Sequence, residues 1–420
     1  MMGKIRSLAA PIGAQGLYSI AGMVVTLVGT LAMAPDAWGR VAIILSAFFI
    51  VVAFVRGVGS IPILVFLSGD TEGILWARRP ALILTALTSS LAGVIPALVG
   101  FSVGMPAAGI LVGLATITYC LYDLARTIDL SLGAFTRVIR SDAVMFGILV
   151  LGLLTAFTGT PTEIVVPATM ALAYGVGTAV SLLAQPHSGS LRIRGYWRKF
   201  GRDIPFLTLD SLLMASTVNG FVFLAGALGS PELAGAFRTS VSLFVGPLQL
   251  LQTASSPFLV RRLRASARGF ERDSALDARR SSLGEPAVMI AAFVATGALY
   301  GTVAMFAGGW LAALLHQEVW AQAARLALAS SLLIGILGAS SVLSTFLRYR
   351  HSSHGLFALR IITIVGSLAT FILLFGTGLA TLDTAIMAAG LPWLILPGIF
   401  SLACWRPVRA RDAAPEARRV

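Results

Sequence analysis

Arginine inside an apolar block is the residue with the clearest chemistry here. Arg56 has about eleven apolar or small residues on one side and about fifteen on the other, which places it near the middle of a membrane crossing. A guanidinium at that depth is expensive unless it faces water, protein or a counter-ion. No carboxylate is expected at a comparable depth. Asp210, near the start of a later apolar block, is the nearest candidate partner, and Asp123 and Asp142 are expected at the boundary of theirs. The interior therefore carries net positive charge, and a phosphate or carboxylate satisfies a guanidinium best, in bidentate geometry. Arg40, Arg238 and Arg325 sit nearer block ends, where long stems can also snorkel to the interface.

Polar residues continue the pattern. Arg238, Ser242, Gly246, Gln249, Gln252 and Ser256 recur at helical spacing in one block, with Pro247 expected to kink it. Gln15, Tyr18, Gly22 and Gly29 line one side of the first block, and Ser211, Ala215, Asn219 and Gly226 one side of the seventh. These stripes fit either a polar cavity or close packing by small residues, which membrane helices favour anyway. Other chemistry is sparse. His351 and His354 lack a third ligand nearby, there is no phosphate-binding loop, and neither a metal nor a cofactor is expected. Cys120 and Cys404 fall in or beside apolar blocks and read as thiols.

These residues must be positioned by membrane helices. The chain has 420 residues, 57% hydrophobic and 12% charged, about half the charged fraction of a soluble domain. That excludes a disordered chain, a disulfide-stapled module and a soluble nucleic-acid binder, despite the net charge of +13. At roughly 20 residues per crossing, about twelve helices fit, and blocks this long are not barrel strands. The expected spans are 11–33, 41–67, 81–101, 106–123, 143–157, 164–184, 204–228, 235–260, 286–309, 323–346, 361–380 and 384–404. The first, although preceded by Lys4 and Arg6, is too long for a signal core and is expected to be retained. With this assignment 27 of the 31 basic residues fall on one face, which the positive-inside rule makes cytoplasmic together with both termini. The expected location is the inner (plasma) membrane. Six of the seven tryptophans fall at span ends or loops, as an interfacial belt would have them. The basic loop from Arg261 to Arg280 reads as a solvated surface helix that could also hold anionic lipid head groups.

The chain also repeats. Pro35, Asp36 and Gly39 match Pro231, Glu232 and Gly235 at an offset of 196, and Ser60 and Pro62 match Ser255 and Pro257 at 195. Two six-helix bundles follow, 1–190 and 204–405, with a basic linker 191–203 and a basic tail 406–420. Two such copies related by an axis along the membrane normal make an alternating-access plan.

The run Gly235-Ala236-Phe237-Arg238, then Gly246-Pro247 and Ser256-Pro257-Phe258 before a basic cluster, resembles polysaccharide-export flippases of the multidrug/oligosaccharidyl-lipid/polysaccharide (MOP) exporter superfamily. The segment from Asp123 to Asp142, with Arg126, Arg137 and Arg140, is similar to the loop between their fourth and fifth helices. The resemblance covers most of the chain and rests on pattern. It implies two pseudo-symmetric lobes around a central cavity and a lipid-linked oligosaccharide with a diphosphate head group as cargo. It also implies movement to the outer leaflet for cell-surface polysaccharide synthesis, alongside glycosyltransferases or a polymerase of the same pathway. Arg56, then Arg238 and Arg40, would form the cationic cavity, with Gln249, Gln252, Asn219, Gln15 and Tyr18 lining it. No enzymatic activity is expected. Two alternatives are a cation-coupled exporter of amphipathic drugs, for which Asp210 is the candidate ion-coupling carboxylate, and a membrane glycosyltransferase or polymerase, which would need a larger outer loop than the one around 310–322.

Overall fold

The computed structural model describes residue 17 and residues 20–67, 70–159, 161–185, 192–248, 275–315, 317–348 and 353–403, all as helices and short connections with no strand among them. Eight described helices are long and apolar enough to cross a membrane, and Glu318–Arg325 with Ala327–Ser340 forms a further candidate bent by 47°. Ile20–Ala32 and Leu382–Gly398 are shorter apolar segments. The eighth expected span begins at Pro231 and is described as far as Leu248; the rest of it lies outside the described residues. The fold is the expected all-α membrane bundle.

The chain forms two compact units, one comprising the residues up to Gly246 with Gly308–Ala324, the other Pro247–Ala307 with the residues from Arg325 onward. The sequence repeat divides at the linker 191–203, whereas this division by contact falls at Gly246. The reason lies in the second span.

That span is α2 (Pro35–Val58), which follows α1 (Ile20–Ala32). It is apolar on every side, and such a helix belongs in the interior of a bundle. Pro35 takes the first helical position and Asp36 the first turn, where the missing N–H and the negative charge both suit a helix start. The repeat-related helix α9 (Pro231–Thr239) starts the same way, with Ser230 as its cap and Glu232 in its first turn. Before it run α3 (Thr71–Ser102, bent at Gly93), α4 (Pro106–Ser131), α5 (Phe135–Leu154), α6 (Thr162–Ala184), the short α7 (Ile193–Phe200) and α8 (Ile204–Leu228).

The repeated glycines are where the two copies touch. A Cβ on Gly39 would sit 1.9 Å from the Pro231 carbonyl oxygen, and one on Gly235 would lie 3.1 Å from the Gly39 Cα. Backbone meets backbone at that crossing, as small residues allow in membranes. Further along α2, a Cβ on Gly57 would fall 2.2 Å from the Thr208 Cα of α8. Trp38 locks the crossing: its indole N–H lies 2.9 Å from Thr239 Oγ1 and 3.2 Å from the Gly235 carbonyl. Trp38 is fully buried and Trp320 nearly so, which corrects the expected interfacial belt for these two residues; Trp393, the one tryptophan not expected there, is buried as well. Packing against glycine, not headgroup anchoring, fixes Trp38.

The third, fifth and ninth spans begin earlier than expected, at Thr71, Phe135 and Ala275, and two further spans differ in ways that bear on the site. The second ends early: α2 stops at Val58, Gly59 breaks it, and a wider π-type turn covers Ile63–Leu67. Pro62 has no N–H for the Val58 carbonyl, and the Tyr196 hydroxyl donates to that oxygen instead, at 3.0 Å. The fourth runs on. Expected to stop at Asp123, α4 continues to Ser131, because the first breaker it meets is Gly133, at φ 72°. The region expected as a cytoplasmic loop between Asp123 and Ala143 is mostly two helix ends and a tight turn.

In the second unit the part of α10 (Ala275–Leu315) up to Ala307 packs on α12 (Ala327–Arg348) through glycine again; the end of α10 and α11 (Glu318–Arg325) up to Ala324 belong to the first unit. A Cβ on Gly297 would lie 2.7 Å from the Ser331 carbonyl, and one on Gly335 2.8 Å from that of Phe293. The unit closes with α13 (Ser353–Gly376), α14 (Leu382–Gly390) and α15 (Pro392–Ala403).

Gly39→Ala must push α9 off α2, since the obstacle is backbone. We expect it to destabilise the detergent-solubilised protein by about 1–3 kcal/mol, read as a lowered Tm. Gly22→Ala, with nothing within 4 Å of the added carbon, leaves Tm unchanged or slightly raised.

Candidate functional site

Three charged residues of α4, Asp123, Arg126 and Asp129, are spaced by three. A helix turns about 100° per residue, so each successive member is rotated by about 60° and meets a different partner. Asp123 faces α2: its Oδ2 lies 3.1 Å from Arg56 Nε and accepts from the Ser60 hydroxyl at 2.9 Å. Arg126 faces α5, its Nε 3.2 and 3.3 Å from the two oxygens of Asp142, which also accepts from the Tyr122 hydroxyl. Asp129 lies 3.4 Å from Arg137 Nε and accepts from Ser181 of α6 at 3.0 Å. All three carboxylates are buried, and two of them fully.

This corrects the sequence reading of Arg56. It lies in the last turn of α2, and a carboxylate at the same depth balances it. The error came from ending α4 too soon, which set Asp123 at a boundary it does not occupy. The Arg56 side chain is 43% exposed while that of Asp123 is 3% exposed, so the pair is anchored on the acid and open on the base.

Arg238 behaves differently. Near the end of α9, where snorkelling was an available reading, it is 8% exposed. Its Nη1 donates to Asn219 Oδ1 at 3.0 Å, and its guanidinium carbon stands 4.3 Å from the centre of the Phe49 ring. Asn219 is itself oriented by donating to the Ala215 carbonyl, so its amide oxygen is the atom turned to the arginine. These partners, from α8 and α2, are neutral, and among the described residues no carboxylate forms an ion pair with Arg238. The structure thus brings Arg238 and Asn219 together.

Arg40 is elsewhere, 2.9 Å from Asp36 and donating to the Val103 carbonyl at 3.1 Å. It lines a cavity of about 500 Å³ with Ile43, Val99, Phe223 and Gly226, the one charged residue among otherwise largely apolar walls. Asp210 is half-buried in α8, one short step past the Gly57–Thr208 crossing. Gln15, Tyr18, Gln249 and Gln252 lie outside the described residues. The eighth-span stripe does not continue in phase, because Ser240–Phe244 forms a π-type turn and the helix breaks at Val245, two residues before Pro247. A π-type turn inserts extra rotation, so steps of three and four counted across it no longer mark one face.

Sequence reasoning missed the buried roles of Asp129, Asp142 and Tyr122. Their signal was present: an unbroken helical run to Gly133 with acid and base three apart. Among the described residues no cluster of metal-ligating side chains occurs, and Cys120 is a buried free thiol.

The fold is similar to that of MATE transporters of known structure. Among solved structures it is similar to the inward-facing conformation of a multidrug resistance MATE family transporter of the MOP superfamily, with TM-score 0.67, 12% identity and 93% of each chain covered. It is also similar to the MATE multidrug transporter DinF-BH, with TM-score 0.62, 12% identity, and 95% of this chain and 94% of that one covered. A variant of the Vibrio cholerae MATE transporter VcmN gives TM-score 0.58 and 15% identity over 95% of each chain. No family model and no curated protein matches the sequence.

Asp142→Leu leaves Arg126 buried without its acid, and we expect a loss of about 3–5 kcal/mol in unfolding stability. The Arg126→Leu/Asp142→Leu double variant should lose less than Asp142→Leu alone. A thermal-unfolding double-mutant cycle reads both.

Proposed function

We propose that this protein is an alternating-access transporter that moves an amphipathic anion across the plasma membrane. Its cargo is a polyprenyl-diphosphate-linked oligosaccharide, carried from the cytoplasmic to the outer leaflet for cell-surface polysaccharide synthesis. Arg238 carries the proposal. It is a buried guanidinium with an amide and an aromatic face for company, and a phosphate is the ligand that would satisfy it best. The role that the sequence gives to Arg56 passes in part to Arg238, since Asp123 already balances Arg56. Arg56 remains half-exposed and can steer a phosphate without holding it alone. The lipid tail stays in the bilayer while the diphosphate and sugars cross. With a membrane potential negative inside, each anionic charge moved outward releases roughly 2.3 kcal/mol per 100 mV. Glycosyltransferases or a polymerase of the same pathway would supply and consume the lipid-linked sugar. The transporter fold argues against an enzyme.

A cation-coupled exporter of amphipathic drugs is the second reading, favoured by the buried carboxylates of Asp123, Asp129 and Asp142, which replace Asp210 as the leading candidates for coupling. Flipping of a fluorescent polyprenyl-diphosphate oligosaccharide in proteoliposomes separates the two. The loss of a charge-assisted contact of about 1.5–3 kcal/mol predicts that Arg238→Gln slows flipping by roughly 10- to 100-fold, with Arg238→Lys retaining part of the rate. Wild-type protein that leaves the lipid unmoved but exports a cationic dye, in a manner abolished by Asp129→Asn, supports the exporter instead.

A further inference from the structure

The linker between the two sequence halves is a built surface. From Arg192 to Arg202 it holds five basic residues, Arg192, Arg194, Arg198, Lys199 and Arg202, and no acid. Within it α7 is sharply two-sided. Tyr196 and Phe200 are buried and Ile193 half-buried, one helical stripe, while all five basic side chains are exposed.

The buried stripe is held firmly. The Tyr196 hydroxyl donates to the Val58 carbonyl that Pro62 leaves without an N–H. The Phe200 ring stacks on Phe66 at 5.7 Å, and Lys199 Nζ stands 5.4 Å from the Trp76 ring centre. The height of this helix in the membrane follows from its neighbours. Leu64, Val65 and Phe66 are exposed apolar residues beside it, as lipid-facing side chains are, and Trp197 on α7 is 51% exposed. A basic row directly beyond an apolar, aromatic rim is the arrangement that meets phospholipid head groups.

We propose that α7 is a binding site for anionic phospholipid head groups, held in the membrane interface with Arg194, Arg198 and Lys199 against the phosphates and Trp197 at the acyl boundary. Because Tyr196 replaces the hydrogen bond lost at the break of α2, the lipid-bound helix also braces the segment that carries Arg56. The proposal does not depend on what the transporter carries.

The test uses the full-length protein reconstituted in phosphatidylcholine vesicles containing a minor fraction of brominated phosphatidylglycerol or, at the same fraction, brominated phosphatidylcholine. Quenching assigned to Trp197, by difference from a Trp197→Phe variant, is expected to be at least about twofold greater with the anionic lipid. Each basic residue near a charged surface contributes up to about fivefold in binding. The excess should therefore vanish in Arg194→Gln/Arg198→Gln/Lys199→Gln protein and fall at high salt, while millimolar inorganic phosphate leaves it in place. Should the triple variant not fold, Arg198→Glu alone must lower the excess. Equal quenching by the two lipids overturns the proposal, as does an excess that survives charge removal or is abolished by free phosphate.

Discussion

A charge placed among hydrocarbon must find a partner on a neighbouring helix, and this requirement organises the first unit. The α4 helix carries three such charges at a spacing of three, and the rotation of a helix turns each toward a different partner. Arg56 and Ser60 meet the first, Asp142 (which also accepts from Tyr122) the second, Arg137 and Ser181 the third. Three helices, α2, α5 and α6, are thereby tied to one. The same contacts would each be weak at an exposed surface, where ion pairs contribute about 0–1 kcal/mol. Buried, their value lies less in net stability than in the penalty for any arrangement that separates them.

The second constraint is close approach. Gly39 against Gly235, and Gly57 against Thr208, leave no room for a side chain, so α2 contacts helices of both sequence halves along its length. This explains why the compact unit extends past the linker to Gly246. The repeat supplies the two glycines at one offset; their contact makes the repeat a packing device as well as a trace of duplication.

Hydropathy made the fold legible, since lipid leaves the backbone so few alternatives. The seventh span is observed from Ile204 to Leu228, where it is expected. Span ends were harder wherever charges lay inside the helix. Hydropathy takes a charge as the limit of a crossing, so α4 is cut at Asp123 although nothing in the backbone stops it before Gly133. That one misplaced end hid the acid opposite Arg56, and with it the pairing. Arg238 was legible as a residue but not as a buried one, because its burial comes from Phe49 of α2 and Asn219 of α8, which only the packing brings to it. Trp38 shows the converse: a tryptophan at a helix start reads as an interfacial anchor until the glycine facing it is known.

In the proposed transport cycle Arg56 and Arg238 would divide between them the duties that one uncompensated arginine would have to combine. A guanidinium that already holds a buried carboxylate gains less from a phosphate, because the two anions must share it or the acid is left unpaired, and so releases the phosphate readily. One held by an amide and an aromatic face has less to lose and more to gain from an anion, and binds harder. A carrier needs both qualities in succession, because a cargo held at maximal strength throughout would never leave. Arg56 is open where Arg238 is enclosed, which suits Arg56 to the weaker site of that proposal. An anion that first meets Arg56 and then reaches Arg238 would move from a screened site to a desolvated one, where each electrostatic contact counts for more. The break of α2 beyond Arg56, braced by Tyr196, places the first of these arginines beside a backbone interruption.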